Sequence, residues 1–430
     1  MQVLNELNER RIYMNTVQRR LSILALTVLL MLFACASLYG ATGTRHVVYI
    51  DSSGHVHQLY STATGWSDLD LTTLTGAPPA KSGSGLTSVL DSATNYVHIY
   101  YQSEYANYGV YGDVYELYGS GTTWHSNDLS ELVGLGNSPG PAAGDALTSL
   151  IGSGSVIHMF YMFNTEVMEL YWLGGTSWHL DSPSYLAGEP NGDSPCYNNP
   201  SALTSFMDRS NGNNFMHVFC MGTFEDVYEF YWTGGSAWHY DVPTTLARGP
   251  AGSVYSNITS FIDNSGGTAS VMHVFFLGTN LNVYELYYTG AWHYDDPTSS
   301  AGAPVAGTVS GQLSPLTSFI NTSGTGDTGM HVMYLGTNDH LYALHWVSGT
   351  SWRYFDATAA SGSPSAAPDS ALASFQDLAG GVRAYFLGAN SHVYELYWQS
   401  EGTATVTDLI AASGGAAAAS GSALTGVVGP

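Results

Sequence analysis

The stretch His217-Val-Phe-Cys-Met-Gly-Thr-Phe-Glu-Asp-Val-Tyr-Glu-Phe-Tyr-Trp232 recurs in variant form along most of this 430-residue chain. Its two alternating apolar runs are separated by a turn rich in Gly, Asn or Asp, a pattern that predicts a β-hairpin. Seven copies occur, and the first Tyr of the closing pair, or its equivalent, recurs every 52 to 60 residues. The copies run from His46 to Tyr60, His98 to Tyr118, His158 to Trp172, His217 to Trp232, His273 to Tyr288, His331 to Trp346 and Arg383 to Trp398.

Two further apolar runs accompany most copies of the hairpin. One follows it and is centred on a Trp, at Trp66, Trp124, Trp178, Trp238, Trp292 and Trp352. The other precedes it as Leu-Thr-Ser-Phe or a variant, starting at Leu86, Leu147, Leu203, Ile258, Leu316 and Leu372. Four short strands per repeat of about 56 residues are typical of a β-propeller blade. The sequence therefore predicts an all-β fold, a seven-bladed β-propeller of four-stranded blades.

The two ends of the repeat region predict how the ring closes. The first copy begins directly at its hairpin, whereas the chain ends on an extra strand-like run from Ala423 to Val428. A C-terminal strand that completes the N-terminal blade would leave no free sheet edge between the chain ends. We therefore expect the C-terminal strand to close the ring.

The N-terminal segment differs in composition from the repeats. Four arginines, at positions 10, 11, 19 and 20, precede an uncharged run from Leu21 to Thr44, which is a membrane-targeting pattern. We expect residues 1–40 to be a signal peptide with a small-residue cleavage site at Ala34-Cys35-Ala36, and residues 41–430 to be the propeller. An uncleaved membrane anchor through residues 21–40 and a lipoprotein acylated at Cys35 are the alternatives. Each places the propeller outside the cytoplasm, in an extracellular, periplasmic or cell-surface location.

Two cysteines, Cys196 and Cys220, remain beyond this segment. An oxidising compartment would permit a disulfide between them. One lies in a Pro- and Asn-containing loop and the other in a predicted strand, so we expect them to be unpaired.

The charge balance excludes one class of partner. The chain has 34 Asp and Glu against 10 Lys and Arg, a formal net charge of −24. Phosphate binding needs clustered cations. Nucleic acid is therefore excluded as a partner.

Most copies of the hairpin combine a residue that can carry a positive charge with a carboxylate. The first strand begins with His, or with Arg383 in the last copy, and Glu sits in the second strand at Glu116, Glu169, Glu229, Glu285 and Glu395. In the shortest hairpins the two numbers have an even sum, so an antiparallel pairing places both side chains on one face. A buried carboxylate is costly unless it is paired or reaches a solvated cleft.

Two interpretations of this pair remain open. It is either a structural His–Glu hydrogen bond copied with the blade, or part of a ligand cleft between blades in which polar groups bind sugar hydroxyls and a Trp of the next blade stacks on the sugar. The copy with Ala343 in place of Glu is followed by the one blade without its Trp, at Ala404 to Leu409, as a site shared between consecutive blades predicts. The predicted sugar-binding combinations are His98/Glu116/Trp178, His158/Glu169/Trp238, His217/Glu229/Trp292, His273/Glu285/Trp352 and, across the ring closure, Arg383/Glu395/Trp66, with His46/Gln58/Trp124 ranked below them.

The last copy carries a family resemblance. Val-Arg-Ala-Tyr-Phe-Leu-Gly at 382–388, followed by Val-Tyr-Glu-Leu-Tyr-Trp at 393–398, resembles the repeats of the fungal fucose-specific lectins, and the resemblance extends over nearly all of residues 45–430. It implies a propeller in which an Arg and a Glu on adjacent strands bind fucose hydroxyls, with aromatic residues stacking on the sugar. Arg383 and Glu395 match that motif directly. The chain departs from it in having seven repeats where the family has six, and His where the family has Arg in six of the seven copies.

The motifs favour binding over catalysis. The chain lacks a nucleotide-binding Gly motif, a His-Glu-x-x-His motif and a Gly-x-Ser-x-Gly elbow. Glycoside hydrolysis needs two facing carboxylates, and the hairpin supplies one. We therefore predict a non-enzymatic, glycan-binding propeller without metal or other cofactor. The alternative is a protein-binding scaffold whose His–Glu pairs are structural.

Overall fold

The computed structural model describes residues 43–103, 112–134, 146–163, 165–175, 177–188, 196, 202–235, 237–264, 270–309, 312–322, 329–347 and 349–429. Residues Thr44–Gly429 form one compact unit. The predicted leader, residues 1–40 with the possible span at 21–40, lies outside the described residues. None of the helices within those ranges has the length and apolarity needed to cross a bilayer.

Seven four-stranded antiparallel sheets confirm the predicted seven-bladed propeller. We number the blades along the chain, with blade 1 containing the first hairpin. Blade 1 contains β1 (Thr44–Ile50), β2 (Val56–Thr62), β3 (Gly65–Asp70) and β30 (Thr425–Gly429); blade 2 contains β4 (Leu86–Asp91), β5 (Tyr96–Gln102), β6 (Val114–Ser120) and β7 (Thr123–Asp128); blade 3 contains β8 (Leu147–Ile151), β9 (Ile157–Phe163), β10 (Glu166–Trp172) and β11 (Trp178–Asp181); blade 4 contains β12 (Leu203–Asp208), β13 (Phe215–Met221), β14 (Val227–Trp232) and β15 (Trp238–Asp241).

The remaining blades follow the same plan, with one added ribbon. Blade 5 contains β16 (Ile258–Asp263), β17 (Val271–Leu277), β18 (Val283–Tyr288) and β19 (Trp292–Asp295); the ribbon is β20 (Thr308–Val309) with β21 (Gln312–Leu313); blade 6 contains β22 (Leu316–Asn321), β23 (Gly329–Leu335), β24 (Leu341–Trp346) and β25 (Arg353–Asp356); blade 7 contains β26 (Leu372–Gln376), β27 (Val382–Leu387), β28 (Val393–Trp398) and β29 (Thr405–Asp408).

A short helix follows the last strand of every blade. The helices are α1 (Leu71–Thr75), α2 (Leu129–Leu132), α3 (Pro183–Leu186), α4 (Pro243–Ala247), α5 (Pro297–Ala301), α6 (Ala357–Ser361) and α7 (Leu409–Ser413), and single 3-10 turns lie at Ser153–Ser155 and Ser210–Gly212. Most begin at an Asp or Ser that accepts a hydrogen bond from a first-turn backbone N–H, as Asp70 does from Thr73. These caps fix the point where the chain leaves each blade.

The strands of the Leu-Thr-Ser runs lie side by side from blade to blade. A repeated hydroxyl pair joins them, because the Thr of one strand lies 2.8 to 2.9 Å from the Ser of the next, as in Thr204 with Ser260. Thr425 of blade 1 makes the same contact with Ser88 of blade 2. At the boundary between blades 7 and 1 the chain has Ala373 and Gly426 instead, and neither has a hydroxyl.

The C-terminal strand β30 pairs antiparallel with β1, with Thr44 opposite Gly429 and Val48 opposite Thr425. It also contacts β26 of blade 7 and β4 of blade 2. The hydrophobic core lies between the faces of neighbouring sheets. Phe219 of blade 4, for example, is fully buried with Val274 and Leu286 of blade 5. A site between two blades is therefore bordered by the tightly packed side chains of both sheets.

The expectation that the two cysteines are unpaired is wrong. Cys196 and Cys220 form a disulfide with a Cα–Cα distance of 5.7 Å, which is within the normal range for a disulfide. The loop residue Cys196 forms a β-bridge with Gly222, just beyond the end of β13. That bridge brings the loop cysteine beside the strand cysteine, a contact that neither local sequence predicts.

Candidate functional site

The hairpin register places the repeated His and Glu on one face of each blade. In blade 4, His217 is opposite Tyr231 and Glu229 is opposite Phe219, so the two polar side chains are diagonal neighbours. His217 Nδ1 lies 2.6 Å from Glu229 Oε1. The corresponding distances are 2.9 Å in blade 2, 2.5 Å in blade 3 and 2.5 Å in blade 5. An ionised carboxylate only accepts hydrogen bonds, so Nδ1 carries the proton and Nε2 of a neutral ring is left as an acceptor.

Burial changes the acidity of these carboxylates. It raises the pKa of Glu169, Glu229 and Glu285, and the hydrogen bond from the paired His offsets only part of that effect. These Glu residues therefore carry their charge at a free-energy cost. A purely structural role explains why the His and the Glu are hydrogen bonded. It does not explain why the acceptor is a costly buried carboxylate.

A cavity adjoins the pair in three clefts between consecutive blades. The clefts between blades 2 and 3, 3 and 4, and 4 and 5 each bring together the predicted His, Glu and next-blade Trp. The cavity between blades 4 and 5 has a volume of about 490 Å³. His217 is one of its lining residues, and its Nε2 atom is buried with no hydrogen-bond partner within the described part of the chain.

The predicted stacking Trp residues lie in the packing between blades. Trp292 is only 6% exposed and meets Phe219 of blade 4 edge-on, with ring centroids 6.3 Å apart. Trp178, Trp238 and Trp352 make the same edge-on contact with Tyr100, Phe160 and Phe275. Little of these rings is accessible to a ligand.

A second aromatic position from the next blade, to which the repeat pattern alone assigned no role, lines each cavity. It is the last residue of the hairpin, Trp172, Trp232 or Tyr288, and it is partly exposed. Trp232 Nε1 donates to the carbonyl of Gly235 at 3.0 Å, which holds the indole in place. The Tyr-Trp ending of the repeat was the signal available in the sequence.

An acidic residue was also missed in the fourth strand. The motif Trp-His-x-Asp ends in Asp181, Asp241 and Asp295, and each Asp is the register partner of the buried Glu of its own blade. Blade 2 has Asn127 at this position, whose Nδ2 donates to Glu116 Oε2 at 2.8 Å. A second carboxylate beside the Glu therefore exists in blades 3, 4 and 5, and the one-acid description of the repeat is incomplete.

In the predicted blade 5 combination, the polar residues His273 and Glu285 contact each other, while Trp352 contacts other residues. His273 and Glu285 are hydrogen bonded, and Trp352 Nε1 donates to Asp295 Oδ2 at 3.2 Å.

In blade 1, burial lowers the pKa of His46 to about 4, although a hydrogen bond with Gln58 raises it in part. His46 is therefore neutral at physiological pH, and its side chain is half-buried.

The cleft between blades 6 and 7 is filled by the chain itself. His331 stacks on His345 with ring centroids 4.5 Å apart, where Ala343 replaces the Glu. His345 Nδ1 in turn contacts Glu401 of blade 7 at 3.0 Å. The loss of Glu and Trp noted in the sequence is thus accompanied by a different internal contact.

The pair that matches the fucose motif best is also bound internally. Arg383 donates to Glu395 Oε1 at 2.8 Å and to Asp377 at 2.7 Å. Arg45 of blade 1 donates to both carboxylate oxygens of Glu395, at 3.1 and 2.9 Å, and its guanidinium lies over the ring of Trp66 at 4.8 Å. Arg45 therefore contacts both the carboxylate and the Trp that the sequence predicted to bind a sugar in this cleft.

Replacing Arg45 tests this reading of the cleft between blades 7 and 1. We expect Arg45→Ala to lower the unfolding free energy by roughly 1.5–3 kcal/mol, the usual range for a hydrogen bond to a charged group, and to make Glu395 accessible to added sugar. Thermal unfolding and sugar titration of the same preparation measure both effects. Arg353→Ala, which removes an exposed arginine from β25, is the control for loss of charge. Unchanged stability with Arg45→Ala would contradict the assignment.

Comparison with solved structures supports the fold. The chain is similar to the BP39L lectin of Burkholderia pseudomallei, with 14% sequence identity, a TM-score of 0.59, and coverage of 85% of this chain and 95% of that one. It is also similar to a triple arginine-to-alanine variant of AofleA from Arthrobotrys oligospora, with 16% identity, a TM-score of 0.50, and coverage of 81% and 90%. The six-bladed β-propeller lectin of Aleuria aurantia, described with a fucose recognition mode, matches at 15% identity and a TM-score of 0.45, covering 73% and 94%. No protein-family model and no curated protein sequence matches the chain.

Proposed function

We propose that the protein is a carbohydrate-binding propeller that holds sugars in the clefts between blades 2 to 5. The cleft between blades 4 and 5 carries the proposal: it combines a cavity of about 490 Å³, a buried and unpartnered His217 Nε2, and the carboxylate of Glu229. Sugars need closely spaced donors and acceptors together with an aromatic surface. Tyr288 and Tyr231, both partly exposed, supply that surface here.

Several equivalent clefts on one chain would make the protein multivalent. The His–Glu pairs of blades 2, 3, 4 and 5 have one geometry, so weak single sites would combine into strong binding to clustered glycans. Fucose is the first monosaccharide to test, because the Arg383 and Glu395 motif resembles that of fucose-specific lectins. The similarity in fold to the BP39L lectin supports carbohydrate binding as the kind of function, and it does not indicate which sugar is bound.

Export is part of the proposal. The disulfide between Cys196 and Cys220 favours an oxidising compartment, which agrees with the leader predicted over residues 1–40. We propose that the propeller is secreted or held at the cell surface, by cleavage of that leader or by anchoring through residues 21–40. Mass spectrometry of the mature N-terminus distinguishes the two.

Neutralising the buried Glu residues tests the function. We expect Glu116→Gln, Glu169→Gln, Glu229→Gln and Glu285→Gln, combined in one chain, to abolish binding on a glycan array and to abolish haemagglutination. The amide oxygen of Gln still accepts the His hydrogen bond, and a buried charge is removed, so the fold should persist with its Tm near that of the unmodified chain. Glu225→Gln, at an exposed turn of blade 4, is the control.

The structural interpretation gives the opposite result. If the pairs only support the blades, the unmodified chain binds no glycan and the Gln variant merely loses stability. That outcome would favour a protein-binding scaffold over a lectin.

A further inference from the structure

The cleft between blades 4 and 5 is unusually acidic. Its lining residues include three carboxylates, Asp208, Glu229 and Asp241, one histidine, and neither lysine nor arginine. The fucose motif that the sequence resembles relies on an Arg at the position of His217. The change from Arg to His removes the permanent cation, and Asp241 adds a charge of the opposite sign.

Within the described residues, the acidic pair in this cleft has histidines as its only charge partners, His217 for Glu229 and His239 for Asp241, and no permanent cation. Asp241 is the register partner of Glu229 on the adjacent strand. Within the described residues, Glu229 accepts one hydrogen bond, from His217, and the side chain of Asp241 accepts none. Burial raises the pKa of both carboxylates, and the nearby Asp241 adds to the effect on Glu229. Two like charges brought together in this way cost free energy unless a cation lies between them.

Blades 2, 5 and 7 satisfy the equivalent position internally, whereas in blade 3 Asp181 lies opposite Glu169 and its side chain accepts no hydrogen bond within the described residues. In blade 2 the amide of Asn127 donates to Glu116, and in blade 5 the indole of Trp352 donates to Asp295. In blade 7 Arg383 and Arg45 neutralise Glu395. The pair of Glu229 and Asp241, like that of Glu169 and Asp181 in blade 3, is therefore left for a donor that comes from outside the chain, and the blade 4 pair lines the larger cavity.

We propose that the cleft between blades 4 and 5 selects a sugar unit that carries a free primary ammonium group. This inference rests on the proposed carbohydrate-binding function and specifies its ligand. The ammonium donates to Glu229 and Asp241, a sugar hydroxyl donates to Nε2 of His217, and the C–H face of the sugar packs on Tyr288. An ammonium has three donors and suits two carboxylates, whereas an N-acetylated amine would leave both acids without a cation.

Methionine methyl groups give this cleft a local reporter. Met272 lines the cavity between blades 4 and 5, and Met216 lines the cavity between blades 3 and 4. The full-length chain, labelled with ¹³C in its methionine methyl groups, is titrated with glucosamine, galactosamine and mannosamine, each beside its N-acetylated form. We expect at least one free amino sugar to shift the Met272 signal with a Kd about tenfold lower than that of its N-acetylated form, the size of one charge-assisted hydrogen bond.

Two variants make the test specific. Asp241→Asn should bring that ratio close to one while leaving the Met216 titration unchanged, because the substitution lies in the other cleft. Glu225→Gln removes the same charge from an exposed turn of blade 4 and should keep the full ratio. Circular dichroism of both variants confirms that they are folded.

The outcomes separate this inference from the proposed function. If neutral sugars shift Met272 and free amines bind no better, or if Asp241→Asn keeps the ratio, the ammonium assignment is overturned while sugar binding stands. A shift of Met272 that requires Ca²⁺ and disappears with a chelator overturns it in favour of a metal site. If no sugar of any kind shifts either methionine, both proposals are refuted.

Discussion

Ending the chain at Ala419, and so removing β30, is expected to unfold the propeller at temperatures where the full chain is stable. β30 pairs with β1 at five register positions, and a net contribution of about 1 kcal/mol per backbone hydrogen bond makes the loss on the order of 5 kcal/mol. That is comparable with the entire stability of many domains. The buried side chain of Leu424 and the contacts of β30 with β4 and β26 are lost as well.

Thermal unfolding by circular dichroism measures this effect. A chain that ends at Gly429, and lacks only Pro430, is the matched control and should melt like the full chain. If the chain without β30 melted at an unchanged temperature, the C-terminal strand would have no role in holding blade 1, and our expectation that it closes the ring would fail.

Removing the disulfide should give the second large loss of stability. Cys196 and Cys220 are separated by 24 residues, and a loop of that length is stabilised by about 3–4 kcal/mol through the reduced entropy of the unfolded chain. We expect Cys196→Ala, Cys220→Ala and the double variant to lose similar amounts, because either single change breaks the bond. Chemical denaturation gives the free energies of unfolding.

A reducing agent supplies the internal control for that experiment. It should destabilise the unmodified chain and leave the double Ala variant unaffected. Equal sensitivity of both proteins, or a Cys220→Ala chain as stable as its parent, would show that the bond does not contribute.

The blade count could be predicted because it depends on local patterns. Each copy contains its own turn residues and its own alternation of apolar and polar residues. The interval between copies indicates how many strands fit in one blade. The shared face of His217 and Glu229 could be predicted for the same reason, since the register of a short hairpin follows from its loop length.

The remaining features depend on contacts between distant segments. The guanidinium of Arg45 reaches Glu395 across 350 residues of sequence, and the Cys196 loop lies beside β13 through a single bridge. Neither contact leaves a trace in the local sequence. Asp241 was visible in the repeated Trp-His-x-Asp motif, but only the register between β14 and β15 shows that it lies next to Glu229. The side of Trp292 that is covered depends likewise on how blade 5 packs against blade 4.

The hydroxyl pairs between neighbouring blades give the ring one boundary unlike the others. Ala373 and Gly426 leave the junction of blades 7 and 1 without the Thr–Ser contact, and a Ser side chain at 426 would meet Phe375 at 2.8 Å. The ion pair of Arg45 in blade 1 with Glu395 in blade 7 crosses that junction instead. Ions in solution screen buried pairs much less than exposed ones, and this pair is mostly buried. The first and last blades are therefore joined by a shielded ion pair, whereas the other blade boundaries are joined by neutral hydroxyls.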